Sequence, residues 1–258
     1  MCLRLVRCQG CDLVYAPNPP STEFLESAYS AASYDSQVEA QAASKSYAYA
    51  LKPYISHLSQ QRGAAVDVGA GNGALLPWLL QQGFKPVIGI EPSLAAIKTA
   101  LPEITPLIQC GMFSETMLNN VHPSLICSFM TLEHISDPKV FAKSAFKALR
   151  SGGMIAIVVH NWRAPLNRLL GLRSPIIDVE HLQLFSHNSI DSLLKQAGFE
   201  DVQYTSIVNT YPLDYWLKLS PIPTNFKQVL EIFIKRLSLD KMPLSMAVGN
   251  VLAVGIKP

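Results

Sequence analysis

The sequence predicts an α/β protein built on a doubly wound, mostly parallel sheet. Three observations predict it. Short apolar runs at 65–68, 86–90, 125–130 and 154–159 have the length and near-absence of polar residues of strands buried on both faces. Helical stretches separate them, with start and stop signals such as Ser93, Asp137-Pro138 and Ser151-Gly152-Gly153. The first run passes straight into Gly69-Ala70-Gly71-Asn72-Gly73, a glycine turn at which a ligand can approach the backbone closely. At 258 residues and 49% hydrophobic, the chain suffices for one sizeable core with appendages and is too short for two full catalytic domains.

The chain opens with Cys8-Gln9-Gly10-Cys11, a C-x-x-C pair followed by Leu13-Val14-Tyr15 and the exit Pro17-Asn18-Pro19-Pro20. A zinc knuckle needs four ligands, and only Cys2 lies upstream, so Cys8 and Cys11 make half a site. They are read as a remnant, as a site completed by Cys2 or a partner, or as ordinary thiols. Residues 21–62 are helical in tone, with Ser21 or Thr22 as N-cap and a long stretch from Gln37 to Gln61. Tyr29, Tyr34, Tyr47, Tyr49 and Tyr54 are dense there; their ordinary role is packing, and Tyr34 or Tyr47 is placed to close over a ligand.

Ala65-Val66-Asp67-Val68 is the first strand of the sheet, and Ala74 to Gln82 follow the turn with helical spacing. Strand, glycine turn and helix N-terminus make a nucleotide-binding corner whose N–H groups point at the ligand. Two ligand classes use such a corner. Gly69, Gly71 and Ala74 satisfy the dinucleotide pattern G-x-G-x-x-A. Asp67, Gly69, Gly71 and Gly73 satisfy the pattern of proteins that bind S-adenosylmethionine (SAM), and this match uses more residues. Pro86-Val87-Ile88-Gly89-Ile90 is a second strand ending in Glu91, where a carboxylate can accept from both ribose hydroxyls in either class.

Ser93 caps a helix to Ala100, and residues 105–109 form a short third strand leading into Cys110-Gly111-Met112-Phe113. Leu125 to Met130 is a fourth strand, and it leaves the sheet at the ligand-bearing edge, so Met130, Thr131 and His134 point toward cofactor or substrate. Asp137-Pro138 starts a helix running to Leu149, and Met154 to Val159 is a fifth, buried strand. Asn188 to Gly198 reads as a helix, 199–208 as a strand and 246–256 as the last strand.

Asp67-x-Gly-x-Gly-x-Gly, Glu91, Leu132-Glu133-His134-Ile135-x-Asp137-Pro138 and Leu149-Arg150-x-Gly152-Gly153 stand in an order and spacing that resemble class I SAM-dependent methyltransferases. The likeness covers residues 60–160, with weaker echoes in Glu180-His181-Leu182-x-Leu184-Phe185-Ser186 and Leu193-Leu194-x-x-Ala197-Gly198-Phe199. It implies a Rossmann-like sheet of seven strands with the last antiparallel, and SAM as cofactor. It implies a cofactor site from Asp67, Gly69, Ala70, Gly71, Gly73, Glu91, Pro92, Cys110, Gly111, Met112, Met130, Thr131 and His134. Two departures stand out: no Asp follows the third strand, where Cys110 or Met112 stands in its place, and Ser124 replaces the usual Asp at the start of the fourth strand. Residues 8–20 resemble the second half of the zinc ribbon that precedes some of these enzymes. The expected organisation is an N-terminal segment 1–35 with a partial knuckle, then a methyltransferase domain 36–258 with insertions at 161–185 and 209–245.

Methyl transfer needs mainly alignment, so cofactor residues are more visible than catalytic ones. A hydroxyl or acidic-carbon acceptor must lose a proton, and His134 and His181 are the candidate bases by location; no carboxylate constellation suggests a catalytic metal. Family resemblance places 161–185 over the substrate pocket, where Arg163, Arg168 and Arg173 are either solvated charges or contacts to an anionic substrate. In 209–245, Phe226, Val229, Leu230, Phe233 and Leu237 share one helical face, read as a lid packed on the domain, with membrane-surface contact or a homodimer contact as other readings. The apolar insertion also hints at an apolar small-molecule substrate.

The 21 basic and 19 acidic residues nearly cancel, which disfavours nucleic acid as a partner, as does Phe129-Met130-Thr131-Leu132 in place of Asn/Asp-Pro-Pro-aromatic. No run reaches the roughly 18 apolar residues of a transmembrane segment, and the start lacks the apolar core of a signal peptide, so a soluble, cytoplasmic protein is expected. Five cysteines there are read as thiols or metal ligands. Two other functions stay in view: an NAD(P)-dependent oxidoreductase, which lacks any Tyr-x-x-x-Lys here, and a non-catalytic SAM-fold partner protein.

Overall fold

A computed structural model describes residues 3–21, 24–25, 37–56, 58, 62–220 and 222–258, with backbone alone at 37–39. In chain order the elements are β1 (Val6–Arg7), β2 (Val14–Tyr15), α1 (Gln37–Ile55), β3 (Ala65–Val68), α2 (Leu76–Gln81), β4 (Val87–Glu91) and α3 (Leu94–Lys98). Next come β5 (Ile108–Cys110), β6 (Leu125–Phe129), α4 (Pro138–Ala148), β7 (Met154–His160), α5 (Pro165–Leu170), β8 (Gln183–Leu184), α6 (His187–Ala197) and β9 (Glu200–Ser206). The chain closes with β10 (Asn209–Pro212), α7 (Leu213–Leu219), α8 (Thr224–Arg236), β11 (Pro243–Met246) and β12 (Asn250–Ile256).

Seven of these strands form one sheet in the order β5-β4-β3-β6-β7-β12-β9. β12 runs antiparallel to both neighbours, with Val251 opposite Val159 and Ala253 opposite Tyr204. All four residues of β3 are buried. Successive residues of β7 feed opposite sides: Ala156 and Val158 pack with Leu51, Leu76 and Phe84, while Ile155, Ile157 and Val159 pack with Phe141, Ile190 and Phe199. Helices therefore cover both faces, as a parallel sheet of near-continuous apolar strands requires. The strand order reverses between β4 and β6 around β3, and this switch point opens a crevice at the carboxyl ends of the strands.

Local chemistry fixes the helix starts. Ser93 Oγ accepts the Ala96 N–H at 3.2 Å, and Asp137 Oδ1 accepts from Lys139 and Val140 at 2.9 and 3.1 Å ahead of Pro138. Ser186 and Ser189 form a reciprocal capping box on α6. Ser124 is buried, and its hydroxyl donates to the carbonyls of Ala64 and Arg62, tying the start of β6 to the strand beside it.

Several boundaries differ from expectation. The helix expected from Ala74 begins at Leu76, because Gly73 N–H turns back to the Ala70 carbonyl at 2.8 Å. The helix expected to reach Gln61 ends at Ile55, two residues past Pro53. A 3₁₀ turn at Thr105–Leu107 delays the third strand to Ile108. The last strand, expected from 246, begins at Asn250, and Met246 belongs instead to β11, which pairs with β10. Thr22, Tyr29, Tyr34 and the expected domain boundary after residue 35 lie outside the described residues.

The lid expected over 226–237 is not packed on the domain. Trp216 of α7 is buried and donates Nε1–H to the Leu244 carbonyl at 2.7 Å, but α8 buries no residue. At the other end of the chain, β1, β2 and β8 make a small antiparallel sheet, with Val14 opposite Leu184. Asp12 locks it to the loop after β7: its carboxylate accepts from Arg7 Nε at 2.6 Å and from both Nε and an Nη of Arg163 at 2.8 Å, and its carbonyl accepts from Trp162. These bonds, the Arg163 pair first, hold the Asp12 carboxyl down to about 2.

Candidate active site

A cleft of about 770 Å³ occupies the crevice. Its floor is Asp67 to Asn72 with Glu91; its walls come from α1 (Tyr47), the loop after β5 (Met112, Phe113) and the end of β6 (Phe129 to Thr131). Gly69 and Gly73 have φ of +75° and +73°. A Cβ on Gly69 would lie 2.2 Å from Thr131 Oγ1, and one on Gly73 would lie 2.5 Å from Ile104 Cγ2, so the turn closes this tightly only without side chains.

The expectation that the corner aims its N–H groups at a ligand is corrected for much of the turn. Gly69 and Ala70 donate to the Ile90 carbonyl at 2.8 and 3.1 Å, and Gly73 donates to Ala70. Gly71 donates to Glu91 Oε2 at 2.8 Å, and Ser93 donates to Oε1 of the same carboxylate at 2.8 Å. The acidic side chain therefore lies over the turn. Burial raises the Glu91 pKa against those two bonds. Beneath it, burial first and the charge of Glu91 second push the Asp67 carboxyl up to about 8.

Asp67, Gly69, Ala70, Gly71, Glu91, Pro92, Gly111, Met112, Met130, Thr131 and His134 all line this cleft. Gly73 and Cys110 do not. Gly73 faces a neighbouring hollow beside Trp78 and Ile104, and the exposed Cys110 turns its Sγ toward the Pro92 carbonyl. Sequence reasoning missed Asn72, Phe113 and Phe129. Phe129 sets its edge against Tyr47 with ring centroids 5.5 Å apart, and Phe113 meets Phe141 at 5.6 Å. Phe113 directly follows Met112 and was legible as a loop aromatic; the Tyr47 contact crosses from another element and left no local signal. Asn72 is buried beside the turn, and its Oδ1 has no hydrogen-bond partner among the described residues.

Beyond Thr131 the chain makes a 3₁₀ turn at Leu132–His134 that drives Glu133 inward and His134 toward the cleft. Glu133 is fully buried; its Oε1 accepts the His160 N–H at 2.7 Å and lies 3.3 Å from His160 Nδ1. Burial opposes its charge, but the His160 contacts and neighbouring His134 outweigh it and lower the pKa. The His134 and His181 rings stack 4.8 Å apart, and the His160 ring stands 5.4 Å from His181. His134 Nδ1 lies 3.0 Å from the Glu180 carbonyl, which can only accept, so Nδ1 carries the hydrogen and Nε2 is the basic nitrogen of the neutral ring. Burial, then the charge of His181, lowers the His134 pKa. His181 is raised instead: burial works against it, but Asp178 Oδ2 at 3.0 Å and the charge of Glu133 prevail.

The three arginines read either as solvated charges or as contacts to an anionic substrate do not line the cleft. Arg163 is bound to Asp12 and stacked on Trp162 at 4.5 Å, and Arg168 and Arg173 are exposed outside the cleft. Among the described residues, no group of three or more His, Cys, Asp or Glu side chains is arranged to hold a metal ion, and no helix is long and apolar enough to cross a membrane.

The family model for a methyltransferase domain matches residues 34–204, more than half of the chain. The chain belongs to the methyltransferase domain family. Solved structures agree on the fold: a SAM-dependent methyltransferase from Archaeoglobus fulgidus (16% identity, TM-score 0.54, covering 92% of this chain and 100% of that one), and the YcgJ protein of Bacillus subtilis (17%, 0.55, 81% and 98%). Phosphoethanolamine N-methyltransferase 2 of Haemonchus contortus, solved with SAM, is also similar (13%, 0.52, 95% and 62%). No curated protein matches the sequence. This methyltransferase is thus a class I enzyme with SAM as its cofactor, and the NAD(P)-dependent reading is not favoured. The cleft suits the cofactor's chemistry: buried acceptors at Asp67, Glu91 and Asn72 Oδ1 for hydroxyl and amine donors, close backbone approach at Gly69 and Gly71, and apolar walls at Met112 and Phe113.

Proposed function

We propose that this methyltransferase acts on a small-molecule acceptor whose nucleophile carries a dissociable proton, with His134 as the base. The observation that carries the reading is that His134, held neutral, lines the same cleft as the glycine turn and Glu91. When bound, SAM supplies a methyl carbon already activated by its positive sulfur. The turn at Gly69 and Gly71 admits its backbone-hugging portion, and Glu91 accepts from the ribose hydroxyls. Met112 and Phe113 would flank the cofactor's adenine in place of the missing Asp, and Asn72 Oδ1 would accept from a donor. Holding the reactants in line can contribute on the order of 7–11 kcal/mol. His134 Nε2 takes the acceptor's proton, and His181, whose charged form Asp178 favours, disfavours protonation of His134 beforehand.

The reading extends to organisation: residues 1–35 form an appendage whose Cys8 and Cys11 are not part of the chemistry, and 36–258 form the catalytic domain. A cytoplasmic setting is supported by the unpaired thiols of Cys8, Cys11, Cys110 and Cys127. The test is S-adenosylhomocysteine release with a panel of phenols, carboxylic acids and amines. At saturating SAM, His134→Gln should lose turnover about 100-fold or more; unchanged turnover would overturn the base assignment.

A further inference from the structure

Helix α8 presents a continuous apolar face that none of the described residues covers. At 100° per residue, Phe226, Val229, Leu230, Phe233 and Leu237 fall within one arc. Their exposures are 66, 65, 40, 60 and 51%. Lys227, whose Nζ donates to the Lys218 carbonyl at 2.6 Å, and Arg236 stand at the two borders of that arc, and Lys235 lies on the opposite side, paired with Glu231 at 2.8 Å. Long cationic side chains beside an apolar strip can keep their charges in water while the strip sinks. Residues 213–242 carry five basic side chains against three acidic ones, an excess of the sign that anionic lipid attracts. The face is also narrow. A helix of 13 residues gives a strip about 20 Å long and 10 Å wide, well below the roughly 800 Å² per partner of a stable protein interface.

We infer that α8 is a membrane-surface anchor that lies in the headgroup plane of an anionic bilayer, its Phe226–Leu237 face inward. The inference does not depend on which acceptor the cleft takes. The appendage is rooted beside that cleft, since Tyr211 of β10 meets the Tyr47 side chain of α1, which forms one wall. Docking through α8 would therefore bring the appendage that flanks the cleft to the lipid boundary.

The test is co-sedimentation of the full chain with vesicles of pure phosphatidylcholine and of equimolar phosphatidylcholine and phosphatidylglycerol. Partition into the mixed vesicles about tenfold stronger than into the neutral ones, falling with salt, is expected. The double variant Phe226→Glu/Phe233→Glu should lose it, and Lys227→Glu/Arg236→Glu should lose the preference for anionic lipid. Calorimetric SAM affinity, retained in all variants, reports separately that the cleft is intact. Failure of the wild type to sediment with either vesicle would overturn the inference, as would equal sedimentation of the double variant. A dimer in gel filtration that the double variant dissociates, with no vesicle binding, would assign the face to a second copy instead.

Discussion

The Glu91 carboxylate accepts the main-chain N–H of Gly71 at 2.8 Å, across the 20 residues that separate strand end from glycine turn. One side chain thus shapes the turn and supplies the acceptor proposed for the sugar, so its loss acts on the site twice.

Glu91→Ala should weaken SAM binding by about 1–3 kcal/mol, through lost charge-assisted bonds and a loosened turn. Gly71→Arg should abolish binding by filling the floor of the cleft. Calorimetric titration with SAM checks both, and unchanged affinity in the two variants would remove the site from this crevice.

Asp67 should release a proton when SAM binds near neutral pH. Its folded-state pKa of about 8 lies above the ordinary 3.8, so at pH 7 the acid holds its proton until a cationic ligand with hydrogen-bond donors favours the carboxylate. The sign for stability follows: this group's contribution is full below 3.8 and is lost as pH rises toward 8. Binding enthalpies in buffers of different ionisation heat measure the release, and Asp67→Asn should abolish it while flattening that slope.

His134 sets the acid limb of activity. Its folded-state pKa lies below the ordinary 6.5, so kcat/KM should hold through that value and fall only at lower pH. Asp178→Asn should weaken the hold on the His181 charge, which is kept by a carboxylate itself held down to about 2. With less cation beside it, His134 rises and the acid limb moves to higher pH. A limb that stays in place would detach His181 from the base.

Gly69→Ala should destabilise the fold by about 1–3 kcal/mol, because a Cβ there meets Thr131 Oγ1 at 2.2 Å on a backbone at φ +75°. Thermal unfolding measures it. Thr131→Ser in the same chain removes one of the close atoms, the Thr131 methyl, and should recover part of the loss.

Much of the sheet was legible because its strands are apolar runs bracketed by strong signals: Asp67 through Gly73, Ser93, and Asp137-Pro138 all stand where the periodicity changes. The glycine turn was legible for the same reason, since backbone at positive φ in so tight a turn is written in glycine at 69, 71 and 73. What stayed hidden depends on distance in the chain. The use of Gly71 N–H by Glu91, the Arg163–Asp12 pair and the His134–His181 stack join residues that no local pattern relates. The face of α8 misled for another reason: an amphipathic period reports that one side is apolar, not what stands against it.

The pairing of Val14 with Leu184 makes the amino terminus an outer brace for the loop that carries Asp178 and His181. The Cys8 main chain bonds to both Leu13 and Asp12, so a rearrangement around Cys8 and Cys11 would act on that brace and on Asp12 together. Tuning of the imidazole pair could then be inherited from the far end of the chain, with every residue of the cleft left untouched.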